Sequence, residues 1–259
     1  MSKMAPILEV DCVSKNFGGL PAVRNLSFTV MPGQLKGLIG PNGAGKTTCI
    51  NLITGALPVT SGEIRFEGRP ITGLPLHQTA RLNIGRTFQL LRIFQEMTVL
   101  ENVMAGCHRW ASLGTLQAAV HLPGARAKEK QIMEVARAQI DFIGLAHRAG
   151  MPAGALPVGE QRLLEIARAL AGKPKLLLLD EPAAGLNDIE RARLGTLLRE
   201  LTADGLSILL IEHNMDLVMS VSDEIVVLNY GEKLAEGSAH EVRNLQTVIS
   251  AYLGDASDA

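Results

Sequence analysis

The run Gly40-Pro41-Asn42-Gly43-Ala44-Gly45-Lys46-Thr47 satisfies the pattern G-x-x-x-x-G-K-[ST] at every fixed position. Its chemistry is phosphate binding. Glycines let successive backbone N–H groups turn toward an anion, and a helix starting near Lys46 adds the positive end of its dipole. Lys46 is expected to reach the β- and γ-phosphates of a nucleotide, and Thr47 to place its hydroxyl on Mg²⁺. Asn42, Gly43, Ala44, Gly45 and Thr48 complete the nucleotide-binding set by their places in the loop and at the helix start.

Other groups fall where such a loop needs reactive partners. Lys175-Leu176-Leu177-Leu178-Leu179-Asp180-Glu181 is a leucine run closing on two acids, the pattern of a strand buried on both faces whose carboxyl end opens on a site. There Asp180 would hold Mg²⁺, directly or through water, and Glu181 would polarise the water that attacks the γ-phosphorus. An isolated Asp-Glu pair after a strand is usually a solvated turn; beside a complete phosphate loop it reads as catalysis. Gln89 closes Ile84-Gly85-Arg86-Thr87-Phe88-Gln89, read as another strand, whose terminal amide can touch Mg²⁺ or the attacking water. Ser207 to Ile211 delivers Glu212-His213-Asn214, where a His213 ring nitrogen can sense or orient the γ-phosphate. Phe17, 29 positions before Lys46, can offer its ring face to adenine.

These residues need strands and helices to hold them. Ile7 to Val30 alternate apolar and polar side chains around Gly18-Gly19 and Pro21, which predicts two antiparallel strands with Phe17 in the connecting loop. Leu35 to Ile39 is the buried strand leading into the phosphate loop, and Thr48 to Thr54 continues the helix until Gly55 and Pro58 end it. Gly62 to Gly68 is a short strand. From Leu90 the pattern turns helical: Thr98-x-x-Glu101 is a capping box, and Ala125 to Ile143 is an amphipathic helix ending at Gly144. This helical insertion runs from Leu90 to Leu170, and its His108, His121 and His147 lack metal-ligand spacing. Ile225 to Glu236 reads as a hairpin turning at Tyr230-Gly231, followed by a C-terminal helix to Leu253 and a frayed tail from Asp255 to Ala259.

Composition narrows the class. The 259 residues are 47% apolar but only 3% aromatic, an aliphatic balance suited to parallel sheets covered by helices. A net charge of −1 without basic runs leaves no electrostatic footprint for nucleic acid. Cys12, Cys49 and Cys107 lack C-x-x-C spacing, which suits free thiols in a reducing compartment, without disulfide or structural zinc. No stretch reaches about 18 uncharged apolar residues, so a soluble cytosolic chain is expected.

Leu156-Pro157-Val158-Gly159-Glu160-Gln161-Arg162, followed by Leu163 to Leu170, resembles the signature motif of ABC-transporter ATPases, normally Leu-Ser-Gly-Gly-Gln. With the phosphate loop, Gln89, Asp180-Glu181 and His213 in the same order, the resemblance spans nearly the whole chain. It implies one P-loop NTPase domain over 1–259. The β subdomain and RecA-like parallel core would occupy 1–89 and 171–259, and a helical signature subdomain 90–170. It implies two such ATPases sandwiching two ATP head to tail, so that the phosphate loop of one faces the signature of the other. Gln89 and Leu91 to Phe94 would meet a coupling helix of a membrane subunit. More narrowly, Thr87-Phe88-Gln89, Glu96 to Asn102, Asp180 to Asn187 and Ile211 to Asp216 resemble the larger ATPase subunit of branched-chain amino acid importers. Those importers combine two different ATPase subunits, two permease subunits and an external substrate-binding protein, and would place this chain peripherally on the cytoplasmic face of the inner membrane. A homodimer is the alternative.

The chain departs from the superfamily pattern. Pro157 stands where a serine would give its hydroxyl to the γ-phosphate, and proline has neither that hydroxyl nor a backbone N–H. Val158 replaces a glycine and Asn187 the usual aspartate. Gly159 and Glu160, at the helix start, remain as backbone donors to ATP in trans. Because the ATPase never touches the cargo, importers of amides, urea or aromatic acids stay open alongside branched-chain amino acids. A soluble ABC-type protein acting on DNA or ribosomes would usually carry a coiled coil, a second ATPase copy or a basic surface, and none is present in this sequence. A small-molecule kinase would leave the signature-like stretch unexplained.

Overall fold

The computed structural model describes residues 5–111 and 123–254. His121 and the tail from Asp255 lie outside the described residues. Two sheets form. In the smaller, β1 (Leu8–Phe17) pairs antiparallel with β2 (Leu20–Val30) on one side and β4 (Ser61–Phe66) on the other, and β5 (Arg69–Pro70) closes the order β2-β1-β4-β5. The larger has the order β10-β9-β3-β8-β7-β6, from β3 (Leu35–Ile39), β6 (Ile84–Arg86), β7 (Leu176–Asp180), β8 (Ser207–Ile211), β9 (Glu224–Asn229) and β10 (Glu232–Gly237). Its strands run parallel except for β10, which returns antiparallel on β9. The carboxyl ends of β3, β7 and β8, neighbours in that order, therefore open at one edge, where ligands of such sheets gather.

The leucine run explains how the large sheet is buried. Successive strand residues point to opposite faces. Leu177 and Leu179 enter one apolar core with Ile208 and Leu210, while Leu176 and Leu178 enter the other with Leu209 and Ile211. Each fully buried leucine contributes roughly 2 kcal/mol. Against the first core lie α3 (Val99–Gly106), α5 (Pro123–Phe142), α6 (Val158–Ala171), α7 (Asp188–Ala203) and α8 (Met215–Val221). The second core holds α1 (Lys46–Ile53) between the two sheets, through Cys49, Ile50 and Ile53. A short α4 (His108–Ala111) follows α3, and α9 (Ala239–Arg243) and α10 (Gln246–Gly254) end the described chain.

The Thr98 capping box forms as its spacing predicts. The Thr98 hydroxyl accepts from Glu101 N–H at 3.1 Å, and the Glu101 carboxylate accepts from Thr98 N–H at 2.8 Å. Other expectations need correction. Phe17 is the last residue of β1 rather than part of the loop, because its pairing with Leu20 extends the hairpin to the tight Gly18-Gly19 turn. The strand read as Ile84 to Gln89 stops at Arg86, so Gln89 lies three residues past it, freed from the ladder. The single C-terminal helix is two, divided at Asn244-Leu245, and α2 (Leu76–Arg81) was not foreseen.

Candidate active site

The phosphate loop is shaped by backbone crowding on both sides. At Gly40, φ is +152° and a Cβ would stand 2.2 Å from the Leu228 carbonyl oxygen of β9; at Gly45, φ is +100° and a Cβ would stand 2.6 Å from the Ala22 carbonyl of β2. Only glycine fits either place. The Tyr230-Gly231 turn ties these walls together, since Gly231 N–H donates to the Ala44 carbonyl at 3.1 Å and its own carbonyl accepts from Arg24 N–H at 2.7 Å. Helix α1 then starts at Lys46 with no side-chain cap, leaving its first-turn amides for an anion.

Lys46 lies at the base of the loop, 6% exposed, with Nζ donating to the Gly40 carbonyl at 2.6 Å and the Pro41 carbonyl at 2.8 Å. Burial lowers its pKa, and the charges of Glu181 and Asp180 work against that shift. The loop from Asn42 to Thr48 encloses, with Ala22, Gln89 and Glu181, a cavity of about 260 Å³ whose lining is mostly polar. Thr47 and Asn42 are exposed to it, and Ala44 is buried beneath.

Glu181 enters this cavity from the end of β7. Its backbone holds φ +50°, a left-handed conformation that a side chain disfavours by roughly 1 kcal/mol, and its N–H donates to the Ile211 carbonyl of β8 at 2.9 Å. The turn is thereby anchored to the sheet while the carboxylate projects outward. Gln89 Nε2 donates to Glu181 Oε2 at 3.0 Å, and His213 Nδ1 lies 3.9 Å from that oxygen. The three residues named as catalytic thus converge on one carboxylate, though His213 is exposed and is not among the cavity-lining residues.

Asp180, one residue earlier, is 1% exposed. Burial raises its pKa, opposed first by the nearby Arg86 guanidinium, whose Nη2 donates to Oδ2 at 3.4 Å. Its other oxygen, Oδ1, is buried without a hydrogen-bond partner. This orphan carboxylate oxygen and the hydroxyl of Thr47 on the cavity wall are the kinds of oxygen donor Mg²⁺ takes beside a nucleotide, with waters and phosphate oxygens completing the set. Among the described residues no group of three or more His, Cys, Asp or Glu side chains could hold a metal ion.

Phe17, Gly159 and Glu160 are not brought to the cavity. Phe17 is half exposed on the rim of β1, with Lys15 Nζ 5.1 Å from its ring centroid. Gly159 is buried in the first turn of α6, and Glu160 is turned to Arg148 at 2.9 Å, a contact lacking hydrogen-bond geometry. A chain holding one phosphate loop thus keeps its signature stretch away from that loop.

Several residues that matter here carry no sequence motif. Arg86 spans Asn51 at 2.8 Å, Thr54 at 3.2 Å and Asp180, joining α1 to the end of β7. Glu212 is fully buried and accepts from Ala183 N–H at 2.7 Å and His213 N–H at 3.2 Å, which fixes the segment after Glu181 against β8; burial nevertheless raises its pKa. Arg162 on α6 donates Nη2 to the Gln89 carbonyl at 2.8 Å and Nη1 to the Phe88 carbonyl at 3.2 Å. The only hint of them is an unusual type at a buried period: an arginine ending a short strand, a glutamate just past an aliphatic one, and an arginine on the apolar face of a helix.

Residues 23–184 match the family model described as ABC transporter. The chain is 45% identical, over 97% of its length and 99% of the relative's, to the high-affinity branched-chain amino acid transport ATP-binding protein BraF of Pseudomonas aeruginosa. It is 43% identical, over the same shares, to LivG of Escherichia coli, which bears the same description. Among solved structures, a nucleotide-free ATP-binding cassette from an ABC transporter superposes with a TM-score of 0.83 at 33% identity, covering 96% of this chain and 99% of that one. An ATP-binding cassette in its ADP conformation superposes with a TM-score of 0.85 at 33% identity and the same coverage.

Proposed function

This chain belongs to the ABC transporter family, and from that premise we propose that it is the ATP-binding and ATP-hydrolysing subunit of an importer of branched-chain amino acids. The observation that carries the reading is the convergence of Lys46, Thr47, Gln89 and Glu181 on one cavity, with the orphan Asp180 oxygen close behind. Nucleotide enters as the substrate. The loop amides and the start of α1 receive its phosphates, with Lys46 leaving the Gly40 and Pro41 carbonyls for the β- and γ-phosphate oxygens. Thr47 and Asp180 are the residues that would hold Mg²⁺, which when bound supplies charge neutralisation across the β- and γ-phosphates.

Glu181 accepts a hydrogen bond from the attacking water and orients it toward the γ-phosphorus. Gln89 positions Glu181 through its amide, and His213, 3.9 Å from the same oxygen, would orient the γ-phosphate once nucleotide is bound. Phe17 supplies the adenine platform from the rim of β1. The fold supports treating 90–170 as one helical unit and 1–89 with 171–259 as another, joined at Gln89 through Arg162.

The separation of α6 from the phosphate cavity supports a head-to-tail pair in which Gly159 and Glu160 serve a second ATPase's nucleotide. That second ATPase is a different subunit in our reading, with two permease subunits receiving the Gln89 to Phe94 segment and an external binding protein delivering cargo. The chain would sit on the cytoplasmic face of the inner membrane; no described helix is long and apolar enough to cross it. Co-purification in detergent with membrane subunits, followed by uptake of labelled leucine into proteoliposomes driven by ATP, tests the assignment. Failure of the external binding protein of the same assembly to bind leucine, isoleucine or valine would overturn the cargo; failure to co-purify with any membrane subunit would overturn the transport role.

A further inference from the structure

Helix α6 has Pro157 at its N-cap, which gives it no side-chain cap. The first-turn amides of a helix lack intrahelical acceptors and carry the positive end of the dipole. In this chain a carboxylate already rests against that end. A Cβ built on Gly159 would stand 2.3 Å from Glu190 Oε1 and 2.7 Å from the Glu190 carboxyl carbon, so the acid group sits directly on the glycine. Glu190 is held there by its own helix: Asn187 N–H donates to Oε2 at 3.0 Å, and Glu190 N–H donates to Asn187 Oδ1 at 2.9 Å, the reciprocal capping box of α7. The capping bond takes one oxygen and leaves Oε1 on Gly159.

We propose that Glu190 gates this chain's signature: its carboxylate covers Gly159 and offsets the positive helix end, so that a γ-phosphate brought by a second ATPase is accepted only after the Glu190 side chain swings aside. The inference rests on the two-subunit reading above and adds to it a specific residue. The surroundings favour a closed gate. Arg148 is engaged by Glu160 and Arg191 by Asp188, so these two arginines already have carboxylates of their own. Pro157 has no hydroxyl, and half-exposed Val158 offers only apolar surface. A polyanionic phosphate reaching Gly159 would meet a like charge at contact distance. Glycine at 159 is itself part of the device, since any side chain there would displace the carboxylate.

The test is ATP-driven association of the full chain with the second ATPase of its transporter, both carrying the Glu→Gln change that slows turnover (Glu181→Gln in this chain), followed by sedimentation at saturating ATP. Glu190→Gln keeps an oxygen for the Asn187 amide and removes the charge; Glu190→Ala removes both. The proposal expects Glu190→Gln to tighten the ATP-dependent dimer about tenfold at low salt, with the gain shrinking as salt rises and the thermal midpoint unchanged. A residue that merely caps α7 gives the reverse pattern, with the glutamine variant neutral and the alanine variant less stable at unaltered association. That pattern overturns the proposal, as does equal or absent association in all variants. Binding of a fluorescent ATP analogue to the monomer, measured alongside, reads the phosphate loop separately: its absence would overturn the nucleotide assignment and not the gate.

Discussion

Replacing Arg162 by alanine probes the joint between the signature helix and the nucleotide cavity. Arg162 is 8% exposed, and its two guanidinium nitrogens hold the Gln89 carbonyl at 2.8 Å and the Phe88 carbonyl at 3.2 Å. Gln89 in turn holds Glu181 at 3.0 Å, so the arginine acts on the reacting carboxylate through one intermediate residue. A hydrogen bond from a charged donor is worth roughly 1.5–3 kcal/mol. Water can replace part of each bond at this half-buried place, so we expect a loss of about 2–4 kcal/mol for the pair. Lysine cannot span both carbonyls and should restore no more than about half of it.

Glu165 gives the same substitution a pH signature. It is 2% exposed, and burial raises its pKa; the Phe88 amide and then the Arg168 and Arg162 charges oppose the rise. A carboxyl group with a raised folded-state pKa contributes stability that is complete below its unfolded value and is lost as pH rises through the folded value. Removing Arg162 raises that folded value further. The destabilisation should therefore be larger near pH 7 than near pH 4, where both proteins hold Glu165 protonated. Urea unfolding at the two pH values measures this, and steady-state ATP hydrolysis by the assembled transporter should show kcat lower by on the order of tenfold with nucleotide affinity kept. A loss below about 0.5 kcal/mol, the scale of an ordinary surface substitution, or a fall in affinity matching the fall in turnover, would refute the reasoning.

Lys46→Ala removes the buried cation of the loop and should weaken ATP binding by on the order of 100-fold, read by calorimetry on the isolated chain; unchanged affinity would reject the phosphate role. Glu181→Gln keeps an acceptor for the Gln89 amide but cannot polarise water, so turnover should fall by on the order of 10²–10⁴ while binding holds, and a variant that still turns over would remove Glu181 from the chemistry. In the assembled transporter the matching substitution in the second ATPase should slow hydrolysis by a different factor, and equal losses would remove the case for unequal sites. Lys36, 1% exposed, pairs with Glu224 at 2.9 Å and Glu236 at 2.6 Å. Its hydrogen bond is the main cause of the lowered Glu224 pKa, and Glu236 is lowered, against burial, by hydrogen bonds from Lys233 and Lys36. Depressed carboxylates contribute stability above their unfolded pKa of about 4.3 that is lost as pH falls through the folded values. The acid limb of the stability curve should therefore be shallower in Lys36→Met than in the wild type, and parallel limbs would reject the linkage.

What could be read from the sequence was what local pattern dictates. Gly40 to Thr47, the Leu176–Asp180 strand, the Thr98 capping box and the Ile225 to Glu236 hairpin are each fixed within about ten residues by sterics or periodicity, and each stands where its pattern puts it. Element ends were less legible, because tertiary pairing sets them: Phe17 joins β1 through Leu20, and β6 stops at Arg86 when its partner β7 still has two residues to run. The residues that bind the site together were the least legible. Arg86 to Asp180 spans 94 positions and Arg162 to Gln89 spans 73, separations at which a side chain leaves no periodic trace of its partner.

Glu190 shows why that last class is also where function can be altered most selectively. Within its own helix it completes a capping box with Asn187, a role that carries a stability effect of about 1 kcal/mol and nothing else. Its second role exists only because α7 starts beside the uncapped start of α6, and no property of residues 187–190 encodes that neighbour. The two roles separate under substitution, since capping needs an oxygen while the gate needs a charge. Under the gate proposal, glycine at 159 leaves room for the Glu190 carboxylate, so the response of this signature to a second nucleotide would be set by Glu190 as well as by Pro157.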